Sequence, residues 1–108
     1  MSLPPSGLDE FYRLFFVSGM DHCRDGDGAW AIGQDVGAYG GKNASENALM
    51  ALVRWVEDGI APDVLRGAKL AGDGVTPEYW RAHCKWPKKN RYVGIGATFT
   101  DEHSWVCE

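Results

Sequence analysis

The feature that most constrains this chain is a change of texture at Ser18. Before it, Leu14, Phe15, Phe16 and Val17 form an apolar run. After it, from Ser18 to Gly41, seven glycines stand at 19, 26, 28, 33, 37, 40 and 41 with no sustained hydrophobic period. Near-continuous apolarity over 11–17 predicts a strand covered on both faces, as in a parallel sheet. The glycine-rich stretch predicts a long loop, with a turn of helix around Ala29 to Ile32, and long loops inside compact domains are usually functional or mobile. His22 and Cys23 sit side by side in it.

The next segment has helical period. Asn43 is placed to cap, Glu46 three residues on completes a capping box, and Leu49, Leu52, Val53 and Val56 share one face beside Ala48. Gly59 fits the left-handed position after a helix and Pro62 stops continuation, so a helix is predicted over about 44–58 with that stripe as core. Val64 to Ala71 predicts a short strand. Residues 72–91 read as irregular, with turns at Gly72-Asp73-Gly74 and Pro87, and Tyr92 to Cys107 holds alternating fragments (Tyr92, Gly94, Gly96). Residues 1–10 read as linker, since Pro4 and Pro5 disfavour helix.

At 108 residues the chain is one small domain. The fold class is α/β, but one strand with two apolar faces and one helix with another are more than this chain can cover. The expectation is the end of a larger fold.

Charge and patterning exclude several partners. A net charge of -4 argues against nucleic acid and anionic membranes, which need a basic footprint. The cluster Lys85, Trp86, Lys88, Lys89 and Arg91 accordingly reads as a solvated loop. The longest apolar run, Ala48 to Val53, is too short to span a membrane, and MSLPPSGLDE lacks the basic and apolar regions of a signal peptide. Three cysteines leave one without a mate in the chain, and Asn43-Ala44-Ser45 is a glycosylation sequon. Both lean towards secretion.

His22 is the candidate for chemistry, because imidazole titrates near neutrality and a loop following a strand is a common place for a general base. A loop histidine making a structural hydrogen bond fits the same position. A catalytic triad needs a nucleophile and an acid as well. The elbow G-x-S-x-G is absent, and Ser2, Ser6, Ser18, Ser45 and Ser104 lack its flanking glycines. In α/β-hydrolases the order is serine, acid, histidine, so His22 would be the last member and the others would lie upstream. The pairs His22-Cys23 and His83-Cys84, with Cys107, lack zinc-ligand spacing. Asp25-Gly26-Asp27-Gly28 lacks the remaining ligands of a calcium loop and reads as a turn. No metal site is assigned.

The run Phe11-Tyr12-Arg13-Leu14-Phe15-Phe16-Val17, then Gly19-Met20, His22-Cys23 and Gly28-Ala29-Trp30, resembles the C-terminal part of the tannase and feruloyl esterase family. So do Ala51 to Glu57, Gly59, Ala61-Pro62, Cys84, Pro87, Arg91-Tyr92, Gly94, Gly96 and Cys107, which together cover about residues 9–107. The resemblance implies a secreted α/β-hydrolase with a lid that cleaves feruloyl or galloyl esters of phenolic acids through a Ser-Asp-His triad. Residues 11–108 would be its C-terminal portion: a strand, the catalytic-histidine loop, an amphipathic helix and a disulfide-closed tail. His22 would be the base. Cys23 would be bonded to the cysteine before the serine, outside this chain, and Cys84 would pair with Cys107. Nucleophile, acid, lid and the lid's calcium site would belong to the rest of the hydrolase domain, with Met1 internal to the parent protein. No cofactor is implied within this chain, and alone it would be inactive. The sequence departs from the family at Ser18, usually proline, and Asp21, usually glycine, and Arg24, Asp25 and Asp27 replace a glycine-serine stretch. The rival reading is a non-catalytic secreted binding or structural domain that retains the Cys84–Cys107 bridge.

Overall fold

A computed structural model describes residues 4–34, 39–94 and 98–108. Ser2, Gly37 and Gly96, singled out above, lie outside the described residues. The described elements are α1 (Pro5–Leu8), α2 (Ala48–Asp58), β1 (Val64–Leu70), β2 (Pro77–Cys84), β3 (Asn90–Tyr92), a 3-10 turn (Glu102–Ser104) and β4 (Trp105–Cys107). Helix and strand are mixed, in keeping with the α/β expectation. The described strands form two antiparallel pairs, β1–β2 and β3–β4.

The β1–β2 hairpin organises the molecule. Val64 opposes Cys84 and the ladder runs to Leu70 opposite Pro77, with a register shift after Lys69. Asp73 makes the turn: its carboxylate accepts from the backbone N–H of Val75 and Thr76 at 2.9 Å and from the Thr76 hydroxyl at 2.6 Å. Those bonds, the hydroxyl's first, pull the Asp73 carboxyl down to about 2.

β2 corrects the expectation of irregular structure over 72–91. Its sequence, PEYWRAHC, hides the strand because charged and imidazole side chains occupy positions where apolar ones would alternate. Here Arg81 lies over the rings of Trp105, at 4.0 Å, and Tyr79, while His83 is buried outright. Long cationic side chains cover aromatic surface in this way.

On the other edge of β1, Ala31 and Ala68 exchange backbone hydrogen bonds at 3.1 Å. The segment around Ala31 is therefore extended and strand-like, not the expected turn of helix. Ala31, Ala68 and Gly67 are small enough to let the backbones close up. Trp30, Ala31, Ala68 and Leu70 form the core, with Val17, Met20, Tyr39 and Trp80 against it.

The C-terminal tail is fastened twice. Cys84 and Cys107 form a disulfide with Cα atoms 5.7 Å apart, joining the end of β2 to β4. Arg66 in β1 grips both oxygens of Glu102 at 2.6 and 2.7 Å, reaches Glu46 at 3.1 Å and lies 4.4 Å from the Trp80 ring centre. Hydrogen bonding to Arg66 holds the Glu102 carboxyl below its usual range.

Three further expectations need correction. The segment 11–17 is no strand: Phe15 makes one isolated bridge to Lys85, and Phe16 is 68% exposed. Phe16 is left facing outward because no described strand lies along it on either side, whereas Val17 packs against the core. The helix starts at Ala48, capped by buried Asn47, whose Oδ1 accepts from Met50 N at 3.1 Å. Asn43 instead closes a separate turn, accepting from Ser45 N and Oγ and donating to Glu46. The helix also presents a different face: Ala51 is buried, whereas Leu49, Leu52 and Val56 are 58%, 53% and 76% exposed. Of the predicted core stripe, only Val53 is half-buried. Gly59, at φ 71°, ends the helix as expected. Pro5 begins the short turn α1, at a position where its missing N–H costs nothing.

Candidate active-site loop

His22 stands on a loop closed on itself. Gly28 N–H donates to Gly19 C=O at 2.9 Å, pinching residues 19–28 into a bud with a narrow neck. Only glycine fits there: a Cβ on Gly28 would lie 2.8 Å from Gly19 Cα, and Gly19 has φ 74°. Within the loop Asp21 N–H donates to Asp25 C=O at 3.2 Å. Cys23 and Asp25 adopt left-handed backbone, at φ 68° and 65°, which non-glycine residues adopt at an energetic cost.

His22 and Cys23 are both exposed, and Cys23 Sγ lies 3.1 Å from His22 Nδ1. Cys23 is a free thiol. No described carboxylate or serine hydroxyl is hydrogen-bonded to the imidazole. Of the serines, Ser45 bonds to Asn43 and Ser104 is buried against Thr98 C=O. The structure thus brings together His22 with Cys23 and, separately, Cys84 with Cys107. The second pairing answers the zinc alternative, because sulfurs bonded to each other are not thiolate ligands. Among the described residues no three His, Cys, Asp or Glu side chains converge as metal ligands.

The loop is anchored by groups to which the sequence assigned no such role. His83, 4% exposed, points Nε2 at Ala29 C=O, 2.6 Å away, so Nε2 carries the hydrogen. Burial lowers the His83 pKa. Gly67 leaves the space for this ring, since a Cβ there would stand 2.6 Å from Nε2. Arg24 reaches the Tyr39 hydroxyl at 3.0 Å, and Gln34 donates to Cys23 C=O at 3.2 Å. A histidine in β2 and a glutamine beyond the loop carry no spacing signal that would link them to His22. Below the neck, Gly19, Gly28, Phe16, Arg81, Trp86 and Trp105 help line a cavity of about 770 Å³. His22 is outside its lining.

Comparison with known proteins gives the chain's family. The family described as tannase and feruloyl esterase matches residues 5–107. The chain belongs to the tannase and feruloyl esterase family. It is 57% identical, over 99% of its length, to a probable feruloyl esterase B-1 of Aspergillus oryzae, and 56% identical to a probable feruloyl esterase B of Aspergillus clavatus. The crystal structure of feruloyl esterase B from Aspergillus oryzae superposes over the whole chain with a TM-score of 0.91 at 56% identity. An Aspergillus oryzae esterase structure gives 0.88 at 48%. The chain spans about a fifth of the length of these family members, 19–20% of the curated relatives and 21% of the structures.

Proposed function

We propose that this chain is the histidine-bearing C-terminal part of a secreted serine carboxylic ester hydrolase that cleaves feruloyl or galloyl esters. A serine supplied by the rest of the hydrolase domain attacks the ester carbonyl. His22 takes its proton and returns it to the departing alcohol, and an acid outside the chain orients the imidazole. Cys23, bonded to a cysteine beside that serine, limits drift between the two loops, where errors near 1 Å are costly. The chain itself supplies no cofactor site in this reading. Asn43 is a candidate glycosylation site, and the Cys84–Cys107 bridge supports an oxidising destination.

The observation that carries the reading is the exposed His22–Cys23 pair on a glycine-necked loop in a member of this family. The exposed apolar surfaces of 11–17 and α2 support it too, as faces for the remainder of the domain.

The test is split complementation. The 108-residue chain is co-expressed with feruloyl esterase B of Aspergillus oryzae lacking its matching C-terminal fifth, and methyl ferulate hydrolysis is assayed. The chain alone is expected to be inactive. The pair should turn over, and His22→Ala should cost about 10²–10⁴-fold. Equal rescue by wild type and His22→Ala would overturn the proposal. Turnover by the chain alone, lost on His22→Ala, would overturn its incompleteness.

A further inference from the structure

Gln34 takes no part in the chemistry proposed above, yet its side-chain amide is fully committed. Its Oε1 accepts from Ile32 N–H at 2.8 Å, and its Nε2 donates to Trp30 C=O at 2.9 Å and to Cys23 C=O at 3.2 Å. The orientation is fixed by its neighbours: a backbone N–H can only donate, and carbonyls can only accept.

The two ends of this connection differ in firmness. Trp30 and Ile32 flank Ala31, which is stitched to β1 through Ala68, and Trp30 and Ala31 are both core. Cys23 sits in the exposed part of the loop in left-handed backbone. Such a conformation persists in a non-glycine residue when its surroundings hold it. The amide carries the position of the sheet edge directly to the residue beside His22.

We infer that Gln34 is a positioning residue for His22, fixing the Cys23 carbonyl and with it the loop conformation that presents the imidazole. The inference rests on the reading of His22 as the base. Arg24 anchors the loop to Tyr39, and His83 anchors its exit at Ala29. Neither bonds to the backbone of His22 or Cys23, so Gln34 is the described side chain that controls that peptide.

Two substitutions separate the possibilities. Gln34→Glu nearly preserves shape and keeps an acceptor for Ile32 N–H, but sets carboxylate oxygen against two carbonyls. Gln34→Ala removes all three bonds. Cys23, the one free thiol, provides the readout. The 108-residue chain with its disulfide intact is reacted with 4,4′-dithiodipyridine from pH 5 to 9, and its fold is followed by near-ultraviolet circular dichroism. In the wild type the neighbouring imidazole should speed the reaction, and His22→Asn should slow it. Q34E and Q34A should show the same slowing while staying folded, with the rate changed about tenfold.

Variant profiles that superimpose on the wild type would overturn the inference. So would a wild-type profile unmoved by His22→Asn. Loss of the whole fold in both variants would do so as well, since Gln34 would then be a folding determinant and not a local positioner. The readout is thiol chemistry, so failure of ester hydrolysis in the complementation test is a separate result.

Discussion

The hairpin half of the molecule and its α2 side use their apolar residues in opposite ways. Around β1, small residues meet across the sheet edge, Ala68 is 0% exposed, and Trp30 and Leu70 complete a core that the chain covers by itself. On α2 and along 11–17, the larger residues Leu49, Leu52, Val56 and Phe16 face outward. Hydrophobic period reports that a face is meant to be covered. It does not report that the same chain covers it.

Three experiments can break or sharpen this contrast. The largest effect should come from the tail. Replacing Cys84 and Cys107 by serine opens a loop of sequence separation 23 and should cost about 3 kcal/mol on the chain-entropy account, read from urea denaturation. A cost near zero would mean that Arg66 and the β3–β4 pair hold the tail without it.

The middle effect tests the two faces directly. Leu70→Ala should destabilise by about 2 kcal/mol or more, whereas Val56→Ala should stay within about 0.5 kcal/mol in the same assay. Comparable losses would erase the distinction between the covered and open sides.

The smallest effect is a pH dependence from His83. Burial lowers its pKa, so the unfolded chain binds a proton that the folded chain refuses. Its contribution is intact above about pH 6.5, the unfolded value, and is lost as pH falls from there towards the lower folded value. His83→Gln should flatten that slope in denaturation midpoints taken between pH 7 and 5. An unchanged slope would remove His83 as its source.

How much was legible depended on whether the signal was local. The turn at Gly72-Asp73-Gly74, the strand after Pro62 and the stop at Gly59 follow from short-range chemistry and stand where expected. The helix cap was displaced by four residues because Asn43 and Asn47 are both good caps, and the choice lies with Asn47's burial and its bond to Gly41. β2 was invisible because its burial is made with Arg81 and His83, whose partners come from other elements. His22 and Cys23 were legible as a pair. The roles of Gln34 and His83 were not, since Gln34 reaches the loop through the Cys23 carbonyl and His83 through that of Ala29, and neither link follows a sequence pattern.

One consequence of the glycine neck concerns interchangeability. Gly19 and Gly28 stand backbone to backbone, so the chain leaves the loop almost where it entered. Exchange of the intervening residues with a relative's would leave the entry and exit of the loop in place, provided the replacement keeps Met20 against the core and the Cys23 carbonyl on Gln34.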